Sequence, residues 1–293
     1  MRKITEFHCE PENLDGRQKE DALKAGCVFP EAYIQQEEMI KLAKFYKKSS
    51  GDVFCEMPFC HTLEAEALGA DIRLGDGTTP PRVGKYCCET VEELLALPQM
   101  QLESGRMAET LRACRELTQN GEKVVFNLSG PLTICNSLID IRTIFKAFRK
   151  CPEQMKKLLD KFCQEELRVI AAAEEAGVRW FSYADSAGAV SMIGPKLMEQ
   201  LTETFTMPFL IQACRQMHRD SMMILCPKTT FALLGTDLGT LRDVKLPEVM
   251  TYHEACARMA GTVKIAGQMC MKRREYQLKN QILKEIVLTR RED

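Results

Sequence analysis

Four short apolar runs constrain what this chain can fold into: "KVVFNLSGP", "VRWFSYADSAG", "SMMILCPKTT" and "TVKIAGQMC". Each has too few apolar residues for a buried helix and each ends in turn-forming or polar residues, so each reads as a strand buried on both faces. Long amphipathic stretches separate them. "CPEQMKKLLDKFCQEELRVIAAAEEAG" precedes the second run, and a helical region from Pro195 to about Arg219 precedes the third. "REYQLKNQILKEIVL" reads as a terminal helix after the fourth. Strands alternating with helices mean parallel strands joined by crossover helices, so the fold class is α/β. A (β/α)8 TIM barrel and a doubly wound sheet share that rhythm. No GxGxxG follows the first strand, which weakens the dinucleotide-binding version of the sheet. Upstream, "PEAYIQQEEMIKLAKFYKK" places Pro30 at a first helical position and Ile34, Met39, Ile40, Leu42, Ala43 and Phe45 mostly on one stripe. The expected organisation is an N-terminal helical segment over residues 1–50 packed on a single barrel domain over 51–293.

The 293 residues, 45% of them hydrophobic, suffice for one barrel with a large core. Forty basic and 41 acidic residues leave a formal charge of -1, so no basic field points to nucleic acid or an anionic membrane. No apolar run approaches the roughly 18 residues a membrane span needs. "MRKITEFHCEPENLDG" lacks the apolar centre of a secretory signal. A soluble, cytoplasmic protein is expected. The 14 cysteines are scattered without repeated CxxC pairs, which indicates neither a disulfide framework nor a zinc ribbon. Most read as small buried apolar residues, a usage suited to a reducing cytosol and an anaerobic source.

In either architecture the ligand sits beyond the carboxyl ends of the strands. Those ends carry Asn127 and Ser129; Tyr183, Asp185 and Ser186; Cys226, Lys228 and Thr229; Gln268 and Cys270. Cys226 and Cys270 are either two thiolate ligands for a zinc ion or two core residues. Asp185, directly after an apolar strand, is either an ionisable site group or a helix or turn cap. Strand periodicity puts Tyr183 on the same side as Asp185. His61, after Cys60, is a candidate ligand or base, or a first-turn residue without a role. Lys228 beside Cys226 can lower a thiol pKa or simply face water. His218 and His253 fall in helical segments and are expected at the surface or an interface.

Together, "EMPFCHTLEAEALGADIRLGDGTTPPRV", "FNLSGPLTI", "FSYADSAGAVSMIGPKLMEQL" and "GTVKIAGQMC" resemble the uroporphyrinogen decarboxylase superfamily, on the side of its corrinoid-dependent methyltransferases. The resemblance implies a (β/α)8 barrel and methyl transfer between a small corrinoid protein, which carries the cobalamin, and a small thiol or reduced folate. It also implies zinc held by a His-x-Cys pair and a later Cys. Cys226 matches the first cysteine and Cys270 the later one, but Ile224 stands where the histidine belongs. Without that histidine, zinc needs another ligand, such as His61 or Glu64, or is absent. Asp185 and Tyr183 are the expected catalytic groups, with Asn127, Cys60, His61 and Lys228 contacting substrate. The stretch from Cys226 to Cys270 is too short for two full strand–helix units, so a shortened or irregular late barrel is expected. Ile224 also suits a repurposed corrinoid- or tetrapyrrole-binding member. A decarboxylase fits worse, because Cys60 stands at that branch's aspartate position and its arginine-rich motif is absent.

Overall fold

The computed structural model describes residues 4–9, 20–24, 26–76 and 79–289. Its main sheet has seven strands. In chain order they are β1 (Phe54–Met57), β4 (Lys123–Ser129), β5 (Trp180–Ala184), β6 (Met222–Leu225), β7 (Gly239–Lys245), β8 (Ile265–Ala266) and β9 (Ile282–Leu288). A separate hairpin pairs β2 (Ile72–Arg73) with β3 (Arg82–Val83). The spatial order is β1-β4-β5-β6-β8-β9-β7. The first five are mutually parallel; β9 runs antiparallel to both β8 and β7. The α/β class and the parallel β/α succession are therefore as expected, and so is the irregular late portion. Among the described residues no ladder joins β1 to β7, and the sheet holds seven strands rather than eight.

The α-helices that accompany the sheet include α1 (Gln36–Ser50), α2 (Leu63–Ala67), α3 (Val91–Ala96), α4 (Gly105–Gln119), α5 (Pro131–Leu138), α6 (Ile141–Lys150), α7 (Pro152–Glu175), α8 (Val190–Leu201), α9 (Met207–Gln216), α10 (Pro227–Gly235) and α11 (Tyr252–Met259). Among the described residues no helix is long and apolar enough to cross a membrane. Two buried clusters divide the sheet by the two-residue strand period. Cys55, Phe126, Phe181, Met223 and Ile265 pack with the helices from α1 to α9. Phe54, Val125, Trp180, Met222, Ile224 and Ala266 face the other way, against α11 and the C-terminal segment. Large side chains buried this fully contribute roughly 1.5–3 kcal/mol each.

The C-terminal part departs from the expected pattern. "ILKEIVL" is strand β9, not a terminal helix. β8 offers only two ladder residues, which leaves its outer side open to an antiparallel partner, and Ile282, Ile286 and Val287 are β-branched. β7 then pairs along the whole of β9. The long helix expected before β6 is two helices joined by a π-helical turn over Thr202–Thr206.

His253, expected at the surface or an interface, is instead buried inside the fold, 1% exposed. Its Nδ1 lies 2.9 Å from both carboxylate oxygens of Asp52. Asp52 also accepts from the amides of Val53 and Phe54, and Arg274 Nε stands 3.4 Å from its Oδ2. Arg274 in turn donates to Glu56 Oε1 through Nε at 3.2 Å and Nη2 at 3.0 Å. These contacts join the start of β1 to α11 and to the segment before β9. Burial pushes the Asp52 carboxyl up, but the hydrogen bond and charge of His253 and the two amides outweigh it and hold it below its usual value.

A carboxylate with a depressed folded pKa adds stability that is present above the unfolded value and lost as pH falls through the folded one. Asp52→Ala should therefore cost about 2 kcal/mol at neutral pH, because it leaves the buried His253 Nδ1 and the amides of Val53 and Phe54 without their acceptor. Urea unfolding of the wild type and the variant should converge as pH falls below about 4.

Candidate active site

The sheet register sets Asn127, Ser182, Ile224 and Ala266 side by side near the strands' carboxyl ends. Asn127 Nδ2 donates to the Pro58 carbonyl at 3.1 Å, which fixes the turn after β1 that carries Cys60 and His61. Ile224 is 0% exposed within the apolar cluster of Phe54, Val125 and Met222. Two residues on, half-buried Cys226 starts α10: its carbonyl accepts from the amides of Thr229 and Thr230. Thr230 Oγ1 donates to the Gly267 carbonyl at 2.8 Å. A Cβ on Gly267 would lie 2.3 Å from that hydroxyl and 3.1 Å from Leu225 Cβ, so only glycine allows this approach. The contact ties the loop leading to Cys270 onto α10 beside Cys226.

Electrostatics at this end favour neutral groups. Burial, then the nearby Cys270 and Cys9, push the Cys226 thiol up to about 11 against the Lys228 amide and ammonium. Burial also raises Cys270, with Cys9 and Glu56 adding to it and the Lys272 amide and ammonium opposing. His61 is exposed to solvent. Lost hydration, and then the Lys272 charge, hold its imidazole below the usual value. Lys228 is half-buried beside Cys226.

Cys60 has an occupied sulfur. Arg106, 6% exposed, donates from Nη2 to Cys60 Sγ at 2.8 Å, from Nη1 to Glu66 at 2.7 Å and from Nε to the Tyr33 carbonyl at 3.0 Å. Sequence reading missed Arg106. It sits in "GRMAETLRACRELTQNG" among several exposed charged residues, and nothing local marks it as the one turned inward.

Tyr183 and Asp185 lie on the helix-covered face. Tyr183 is 1% exposed, its ring 5.3 Å from that of Phe209. Asp185 accepts from Leu132 N at 3.2 Å and from Thr133 N and Oγ1 at 2.8 Å each, capping α5 from the neighbouring strand. A Cβ on Gly130 would fall 2.3 Å from Asp185 Cβ and 2.6 Å from the Tyr183 hydroxyl. The cap is therefore realised across strands as well as within "ADSAG", where the Gly188 amide also reaches Asp185. Behind it Glu64 accepts from Ser129 N at 2.8 Å and Oγ at 3.0 Å. Glu166 is 0% exposed and neither carboxyl oxygen has a hydrogen-bond partner. Burial, then Glu64, Asp185 and Glu165, push Glu166 well above the usual carboxylate range and favour its neutral form.

A catalytic zinc takes three protein ligands and keeps a fourth position open. Cys226 and Cys270 offer two, and Ile224 offers none. Glu64 is engaged by Ser129. Among the described residues no group of three or more His, Cys, Asp or Glu side chains is placed to hold a metal ion. The donor set does not fit zinc.

Comparison with known proteins agrees with the fold. The uroporphyrinogen decarboxylase (URO-D) profile matches residues 17–266. The methylcobamide:CoM methyltransferase MtbA of Methanosarcina mazei is 24% identical over 252 residues, 84% of this chain and 72% of that protein. The methylcobamide:CoM methyltransferase MtaA of Methanosarcina barkeri is 24% identical over 184 residues, 62% of this chain, which spans 54% of that protein's length. A solved methyltransferase structure from Methanosarcina mazei superposes with a TM-score of 0.65 at 24% identity, over 74% of this chain and 64% of that one.

The raised carboxyl of Glu166 sets a stability test. An acid whose folded pKa lies above its unfolded value loses stability as pH rises from the unfolded value, about 4.3, towards the folded one. Glu166→Gln should change unfolding free energy by less than about 1 kcal/mol at pH 4 and become progressively more stable than wild type as pH rises. Denaturation at several pH values measures this.

Proposed function

This chain belongs to the uroporphyrinogen decarboxylase family, and from that premise we propose that it moves a methyl group between a corrinoid protein and a small acceptor, a thiol or a reduced folate. The observation that supports this reading is that Cys226 follows β6 directly and Cys270 lies in the loop after the neighbouring β8, a loop tied to α10 by the Thr230–Gly267 contact. The names of the relatives at 24% identity support the same chemistry. The corrinoid supplies an electrophilic methyl group when its carrier docks. A displacement at that carbon needs a deprotonated acceptor held in line.

Here the acceptor would lie over the turn that carries His61. The imidazole, kept neutral by lost hydration and Lys272, accepts the acceptor's proton at pH 7. The Lys228 and Lys272 ammoniums favour the anion that forms. Asn127, fixed by the Pro58 carbonyl, shapes the floor, and Tyr183 and Asp185 position the walls from behind the strands. No step is routed through zinc. A second reading rests on Ile224 and the irregular late strands: a family member that binds a corrinoid or tetrapyrrole without transferring methyl groups. The decarboxylase reading has less support, since Arg106 occupies Cys60.

Methylcobalamin demethylation by anaerobically prepared protein, with metal content measured in parallel, separates these readings. His61→Gln should lower kcat by roughly 10²-fold, the lower end for loss of a general base, with KM little changed. Cys226→Ser and Cys270→Ser should each lower it by about as much as removing a group that stabilises developing charge, on the order of 10²-fold. Zinc should be substoichiometric throughout. Stoichiometric zinc lost in both serine variants would overturn the assignment of the donor set, and bound cobamide without turnover would favour the second reading.

A further inference from the structure

Residues 4–9 lie along α10, and their contacts give them a direction. A Cβ on Gly235 would fall 2.9 Å from Ile4 Cγ1 and 3.0 Å from its Cα, so Ile4 seats at the carboxyl end of the helix. One turn earlier, Phe7 meets Phe231 edge to face, with ring centroids 6.0 Å apart. The strap thus runs antiparallel to α10. About one more turn, roughly 5.4 Å, separates Phe231 from the start of the helix. The two residues from Phe7 to Cys9 span up to about 7 Å. Cys9 is carried to the end of α10 that Cys226 begins, beside the loop that Thr230 pins through Gly267. Its sulfur is near enough to contribute to the raised thiols of both Cys226 and Cys270. Cys9 is exposed, the other two are half-buried, and all three are free thiols.

We propose that Cys9 is an oxidation site that forms a disulfide with Cys270 or Cys226, fastening residues 4–9 across the strand ends. A hydroperoxide is the oxidant. The Cys9 sulfur attacks one peroxide oxygen, the O–O bond breaks, and a sulfenic acid and water (or the alcohol) form. The second cysteine, as thiolate, attacks the sulfenic sulfur. The S–S bond forms and the departing hydroxide takes up the thiol's proton as water. With hydrogen peroxide, two thiols and one peroxide yield one disulfide and two waters. A dithiol reductant reverses the link. The crosslink does not depend on methyl transfer; only its consequence, withholding a site thiol, rests on that reading.

The test treats fully reduced protein with one equivalent of hydrogen peroxide, alkylates the remaining thiols and maps peptides without reduction. The expected product joins the Cys9 peptide to that of Cys270 or Cys226. Phe7→Ala, which keeps all three thiols but loosens the strap, should slow the link several-fold. Cys9→Ser should abolish it, leave Cys226 and Cys270 open to alkylation and leave the melting temperature unchanged. A Cys226–Cys270 disulfide that excludes Cys9, a link from Cys9 only to Cys87 or Cys151, or Cys9 ending as sulfinic acid would each overturn the proposal. Reduced wild type inactive towards methylcobalamin would count against the methyl-transfer reading and leave the mapping result standing.

Discussion

Among the described residues β1 pairs along one side only, with β4, and charge holds the approach to its other side. Asp52 and Glu56, at the start and within β1, meet His253 and Arg274 from 201 and 218 positions later in the chain. Taking such groups out of water costs several kcal/mol per ion before pairing. The arrangement persists because Asp52 collects two amides, an imidazole and a guanidinium. Arg274 follows Cys270 by four residues, so the same contacts that seal β1 also place the loop bearing that cysteine. Stability and the position of the candidate site are therefore coupled through one cluster.

A second polar cluster lies on the helix-covered face. Asp185 spends its oxygens on the first turn of α5, between Gly130 and Gly188, where a Cβ on either would collide with it. Its carboxylate thus shapes the turn after β4 instead of facing the open end. Glu64 holds Ser129 from the other side. Charge accumulates until a third carboxyl, Glu166, is better accommodated as a neutral acid than as an anion. The result is a rigid wall behind Asn127 and Cys226, built from residues that look reactive in isolation.

Much of the fold was legible because burial leaves local marks. The apolar runs at β4, β5 and β6 are continuous since both faces of those strands are covered. The ends of these strands could be named for the same reason, which is how Asn127 and Cys226 were found. β9 was mistaken for a helix: "REYQLKNQILKEIVL" carries apolar residues at both periods, and only the open side of two-residue β8 decides between them. Arg106 and His253 were not legible as buried groups, because nothing near them in the chain announces a partner. Arg106 meets Cys60 46 positions away, and His253 meets an aspartate 201 positions away.

The sequence by itself determined the α/β class, the parallel succession of strands, the family and the presence of two cysteines at strand ends with an isoleucine where a histidine would complete a metal site. Each is a property of residues near one another in the chain. Only the packing of the whole chain settled that the described sheet has seven strands, that Asp185 caps a helix, that Arg106 claims Cys60 and that residues 4–9 lie along α10. Those outcomes depend on which buried polar group finds a partner once water is gone. That pairing is set by the packing of distant segments and leaves no periodic trace in the order of the residues.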